Sequence, residues 1–375
     1  MLRCTTTADF LAALPFLAGF TAQNSLFLVL FSGKRANRAI RMDLPDPDDA
    51  RASVALLDGI CELLSETGAG TERPAVVISS SQSFAEAGGA PWREFARLLR
   101  RRFRREGWSL RELAVVAPDA WTGLLDPEAP RHGRSLNEIA ASPVGAQAAE
   151  AVPAPRDIDR FGELSEPDAE RAAAVLGRLA ELDLRERRRA SAAEAQPDQT
   201  HALVWVHGLV RVASACFTGT ELPEPRLAAR LIAAAEVPDR WLVLALVTVC
   251  TPEFVTQFAE DLGPARLADS AQTSSSGIGR ILAVLAQSRP DPTALHRIID
   301  VLGDTAAHAP SARRAGLLAL LAWAWWLLGM SSVADRLLRD AGRIDADHEL
   351  THVVAEVTSS PPGWLLADLG DEEHA

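Results

Sequence analysis

Tyrosine is absent from this 375-residue chain, lysine occurs once, at Lys34, and cysteine four times, at Cys4, Cys61, Cys216 and Cys250. The cysteines are scattered, show no C-x-x-C spacing, and mostly stand in apolar runs that a small hydrophobe would fill, so no thiolate metal cluster is indicated. A reducing cytoplasm is the compartment this implies. Long apolar runs are missing too: the longest, Ala315 to Met330, has 16 residues, short of the ~20 of a membrane helix. It is expected as a buried helix, and no membrane association is expected. The first twenty residues do not read as an export signal, because Asp9 interrupts the apolar region and Pro15 breaks it. No glycine-rich phosphate loop follows any expected strand, so neither a nucleotide nor any other cofactor is indicated. A net charge of -12 argues against general nucleic-acid binding.

What is present is ordinary globular material, 48% apolar and 23% charged, long enough for two cores. The chain is organised around Leu14 to Pro45. Leu26 to Phe31 is a continuous apolar run, too short for a helix, and reads as a strand buried on both faces. Ser32 to Ala36 is the turn of a hairpin whose second arm, Asn37 to Asp43, alternates and ends at Pro45. Upstream, Thr7 is expected to cap a short helix over 8–13 that Pro15 stops. Helical spacing recurs over 49–67 and 91–106, and buried strands are expected at 74–81 and 113–117. Helical crossovers make the second, third and fourth strands parallel, with the first antiparallel beside the second.

Those directions gather Asn24, Ser25, Asp43, Ser80, Ser81 and Asp119 along one sheet edge. Ligands of open α/β sheets bind at such an edge, and two carboxylates with hydroxyls and an amide suit a metal or a polar substrate. The plainer reading is that these residues cap loops and start turns. The arginine run over 97–107 falls opposite the apolar face of its helix and reads as a solvated face rather than a phosphate or nucleic-acid patch.

An N-terminal helix, the turn Pro15, Phe16, Leu17, Gly19, Phe20, the pair Asn24 and Ser25 before a buried strand, and the strand end Arg41, Asp43, Leu44, Pro45 resemble the actinobacterial "domain of unknown function 4192" family. The resemblance runs over most of the chain. It implies a shared fold and no particular activity.

Between Thr122 and Pro167, prolines at 127, 130, 143, 153, 155 and 167 break the periodicity, and an irregular connector is expected, with one helical piece near 146–150. From Asp168 the pattern is helical throughout, ten helices being suggested as far as Val357. The expected organisation is an α/β domain over 1–122 with a mixed four-stranded sheet, a connector over 123–167 and an all-α domain over 168–375. Leu318, Leu321, Gly329, Ala334, Leu338 and Ala341 resemble a tetratricopeptide helix hairpin. Trp323, Trp325 and Trp326 are expected in its core, the alternative being a groove for a partner helix.

The stretch His348 to His352, "HELTH", matches the H-E-x-x-H of zinc peptidases, with His348 and His352 as ligands and Glu349 as base. Its place at the end of a helical domain, far from any strand and without a third ligand, speaks against that chemistry and for a polar helix face. The sequence therefore favours a non-catalytic interaction or regulatory protein that binds a protein partner through its helical domain. The alternative is a hydrolase or small-molecule enzyme working at the sheet edge.

Overall fold

In the computed structural model, which describes residues 3–66, 68, 73–193, 204–262 and 275–365, the chain divides between Phe161 and Gly162 into two compact units. The first unit runs α1 (Thr7–Ala18), β1 (Phe20–Thr21), β2 (Ser25–Ser32), β3 (Arg35–Asp43), α2 (Ala50–Glu66), β4 (Ala75–Ser79), α3 (Phe84–Ala87), α4 (Arg93–Arg105), β5 (Glu112–Val116), β6 (Trp121–Gly123), α5 (Asn137–Ala140), α6 (Pro143–Ala151) and β7 (Arg156–Asp157). The main sheet has the order β3-β2-β4-β5-β6. β2 is antiparallel to both neighbours, β4 and β5 are parallel, and β6 returns antiparallel to β5. The four expected strands thus keep their expected directions, the first lying between the second and third. A fifth, β6, is added, and β1 and β7 pair separately in parallel.

Alternation along β2 explains its unbroken apolar run. Leu26, Leu28 and Leu30 join Val76, Ile78, Leu113 and Val115 in a core closed by Ile60 and Leu64 of α2 and by Phe95, Leu99 and Phe103 of α4. On the opposite face Phe27 meets Phe20, and Phe31 meets Phe10 of α1, with ring centroids 6.0 and 6.4 Å apart. Here α1 packs on α5 and α6. A strand in the middle of three layers has no polar face to show.

This second layer corrects the expectation of a connector. β6, α5, α6 and β7 all belong to the first unit, and Val144, Ala148 and Ile158 are buried in it. The N-terminal helix differs as well. It starts after Thr6, whose hydroxyl accepts from the Asp9 N–H, and it runs through Pro15 to Gly19. Burial of Leu11, Ala12 and Leu14 offsets the hydrogen bond that proline removes.

The second unit is helical among the described residues: α7 (Ala169–Ala193), α8 (Val204–Thr218), α9 (Pro225–Ala235), α10 (Pro238–Val247), α11 (Pro252–Leu262), α12 (Ser275–Leu285), α13 (Pro292–His308), α14 (Ala315–Leu327), α15 (Ser331–Ile344) and α16 (Glu349–Thr358). One of the ten helices suggested by the sequence starts at Thr200, which lies outside the described residues. Every residue of α14 is buried, because α9, α10, α13, α15 and α16 all pack on it. That accounts for an apolar run with no amphipathic face. Among the described residues no helix is long and apolar enough to cross a membrane.

The tryptophans of α14 are buried. Trp323 and Trp326 are buried and stacked at 5.3 Å, and their indole N–H groups donate to Thr248 Oγ1 and the Ser360 carbonyl, both at 2.8 Å. Trp325 is buried beside them.

Candidate functional site

The sheet edge is built by strand ends that meet through side chains. Asn24 sits at φ 46°, in the left-handed region. Its Oδ1 accepts from the Ser81 N–H at 3.0 Å and the Ser81 hydroxyl at 2.7 Å, and its carbonyl accepts from the Leu44 N–H at 2.9 Å. The residue therefore ties the start of β2 to the ends of β3 and β4. Ser25 is fully buried. Its hydroxyl donates to the Gln23 carbonyl at 2.7 Å and accepts from Arg41 Nε at 2.9 Å, and the same guanidinium reaches Asp43 Oδ1 at 2.5 Å.

Ser80 and Asp119 serve the next loops. The Ser80 hydroxyl accepts from the Gln82 N–H at 3.0 Å, and the Ser80 N–H donates to the Val116 carbonyl at 2.9 Å. The two carboxylate oxygens of Asp119 accept from the N–H groups of Phe84 and Ala85 at 2.8 and 3.1 Å, at the start of α3. These bonds, the one from Phe84 foremost, hold its carboxyl below the usual carboxylate range.

The structure thus brings Asn24 to Ser81 and Ser25 to Asp43 through Arg41, and leaves Asp119 apart. Asp43 ends β3 and Asp119 follows β5, with β2 and β4 between them. Three inter-strand steps amount to about 14 Å. The carboxylate pairs of glycoside hydrolases stand about 5–9.5 Å apart, and those of aspartic proteases closer still.

The HELTH stretch does not form a helical histidine pair. α16 begins at Glu349, and His348 is its N-cap residue with extended backbone, φ −66° and ψ 112°. Without helical geometry at His348 the two imidazoles are not stacked one turn apart. The His348 ring nitrogens are buried without a well-aligned hydrogen bond, the Ala235 carbonyl lying alongside. Burial pushes the His348 pKa down. His352 is exposed, and its Nε2 lies 2.9 Å from the Ala346 carbonyl oxygen. Among the described residues no group of three or more His, Cys, Asp or Glu side chains is placed to hold a metal ion.

One concavity of the first unit was not anticipated. A cleft of about 530 Å³ opens between α4 and the loop that follows β6. Arg93, Arg97 and Arg100 reach it from one flank of α4, Arg131 faces them from the loop, and Thr122 and Asp126 also line it. Arg97 and Arg100 belong to the arginine run over 97–107, and Arg93 stands one turn before it. The opposing wall was not legible in the sequence, because nothing local places 124–131 against α4.

That wall is firmly held. The Leu124 N–H donates to the Leu113 carbonyl at 2.7 Å, and Trp121 and Arg134 exchange backbone bonds at 3.1 and 2.7 Å. Asp126 accepts from the Glu128 N–H and from Arg134, each at 2.9 Å, and these bonds hold its carboxyl below the usual range.

Compared with known families, residues 8–361 match the one described as "Domain of unknown function (DUF4192)". No curated protein and no solved structure matches the chain.

Proposed function

Because this chain belongs to the DUF4192 family over most of its length, a family whose description carries no activity, we propose on physical grounds that it is a non-catalytic cytoplasmic interaction or regulatory protein. The observation that carries this reading is the use already made of the sheet-edge side chains. Asn24, Ser25, Ser80, Ser81 and Asp119 bond to neighbouring strands and loops, Asp43 is paired with Arg41 on its own strand, and three inter-strand steps separate the strands that carry the two carboxylates. A general acid or base needs a lone pair or proton free to face a substrate.

In this reading the α/β unit is the scaffold and the helical unit, with its tetratricopeptide-like α14–α15 hairpin, binds a protein. Leu318, Leu321, Ala334, Leu338 and Ala341 are buried between helices, which supports a hairpin of close-packed helices. On α11, Phe254 is 50% exposed and stacks on Phe258 at 6.2 Å, so this pair is the first surface to probe.

The test has two arms. The full chain and Phe254→Ser are used to capture a partner, whose affinity is then measured with purified components. A defined complex weakened by the substitution supports the reading. In the second arm wild type, Asp43→Asn and Asp119→Asn are assayed against ester, phosphoester and amide substrates. Turnover that either carboxamide variant abolishes while remaining folded would overturn the reading in favour of the sheet-edge enzyme.

A further inference from the structure

We propose that the cleft between α4 and the loop over 124–131 binds a small phosphorylated organic molecule, its phosphate held by Arg93, Arg97, Arg100 and Arg131. The chain carries a net charge of -12, yet this concavity gathers four guanidiniums. Its one lining carboxylate, Asp126, is already engaged by Arg134 and a backbone N–H. Arg93 and Arg131 are exposed, and their side chains form no ion pair or hydrogen bond among the described residues. Arg97 pairs with Glu94, three residues before it, and Arg100 donates to the Leu124 carbonyl at 3.3 Å. Such an exposed pair is worth little and yields readily to a better anion.

The chemistry follows from the donor set. Guanidinium forks match phosphate oxygens bidentately, and several around one cavity select a group of high charge. Side chains on a common helix flank normally repel one another and splay into solvent. Here a second wall, carrying the fourth arginine, stands opposite them on a braced loop. No side chain caps the first turn of α4, so its unpaired N–H groups add positive potential at the end where Arg93 lines the cleft.

The volume lies within the range of small-molecule sites, and the walls between the arginines are apolar, with Leu124, Pro127 and Pro130 on one side and Ala96 on the other. A cleft of that make-up has room for an organic body beside the phosphate. A nucleic acid is a poorer fit, because its affinity rests on many phosphate contacts spread along a basic surface, and the chain as a whole carries a net charge of -12.

The experiment is isothermal titration calorimetry on the full chain at low ionic strength, with phenyl phosphate and inorganic phosphate as probes. Phenyl phosphate is expected to bind measurably and at least about tenfold more tightly than inorganic phosphate. Arg93→Gln and Arg131→Gln are each expected to weaken it about tenfold, the worth of one charge-assisted bond. Arg105→Gln, on the same helix but away from the cleft, is expected to leave it unchanged. Because Arg93 and Arg131 hold nothing else in place, their variants fold. No heat from phenyl phosphate at millimolar concentration would overturn the proposal. So would equal affinity for the two probes, binding that survives both cleft substitutions, or a loss in Arg105→Gln as large as in the others.

Discussion

Asp9 and Ser142, 133 positions apart, meet at 2.8 Å through a buried hydrogen bond in which the serine hydroxyl donates to the carboxylate. Asp9 also accepts from the N–H groups of Thr5 and Thr6 and from the Thr5 hydroxyl. One carboxylate thus caps α1 and fastens it to the start of α6. The Ser142 bond is the largest of the influences holding the Asp9 carboxyl well below the usual carboxylate range.

The pH consequence has a definite sign. With its folded pKa below the unfolded one, Asp9 contributes stability that is complete above the ordinary value of 3.8 and is lost as pH falls through the folded value. Ser142→Ala is expected to cost about 1.5–3 kcal/mol at pH 7 and to lessen the loss of stability between pH 5 and pH 2. Chemical denaturation of both proteins across that range measures it, and parallel curves would refute the assignment.

Gly316, in the first turn of α14, is expected to be intolerant of any side chain. A Cβ there would stand 2.1 Å from the Ala235 carbonyl oxygen and 3.0 Å from His348 Nε2. Gly316→Ala therefore costs about 3 kcal/mol or more through overpacking, despite a gain of about 1 kcal/mol in helix propensity. Gly303 in α13 has nothing within 4 Å of the same position, so Gly303→Ala stabilises by up to about 1 kcal/mol. Thermal melts of the pair should move in opposite directions.

His348 makes the helical unit sensitive to mild acid. Burial lowers its pKa from 6.5, against the opposing pull of Asp345, the Ala235 carbonyl, Glu236 and Glu349. As pH falls below 6.5 the unfolded chain takes up the proton first, so stability declines until the folded histidine also titrates. His348→Gln is expected to flatten the melting temperature between pH 7 and pH 5. A slope unchanged from wild type would show that another group is responsible.

Asn24 combines backbone and side-chain roles that two substitutions separate. Asn24→Gly keeps the left-handed turn and loses the two bonds from Ser81, at a cost of about 1 kcal/mol. Asn24→Ala loses those bonds and strains the backbone as well, at about 2 kcal/mol. Equal losses in urea denaturation would mean that the turn itself contributes nothing.

Legibility in the sequence followed locality. The helices α2 and α4 and the strands β2, β4 and β5 were readable because each carries its own period of apolar residues. The short strand β6 carries three residues and no alternation, and α6 lies among prolines, so the layer that packs on α1 read as a connector. The residues of the sheet edge were found by type and position, yet their hydrogen bonds depend on which strand neighbours which. The cleft was less visible still, since Arg131 acquires its meaning only when its loop is laid against α4. In HELTH a literal match was undone by one residue of helix phase, His348 standing just outside α16.

The second layer also sets an order of events in synthesis. When β2 through β5 have left the ribosome, one face of α1 still waits for α5 and α6, the helices that pack on it. A truncated chain ending near Thr122 would meet water, chaperones and other chains with that face exposed. The shortest N-terminal fragment worth expressing therefore ends at Phe161, beyond the proline-rich stretch that looks dispensable.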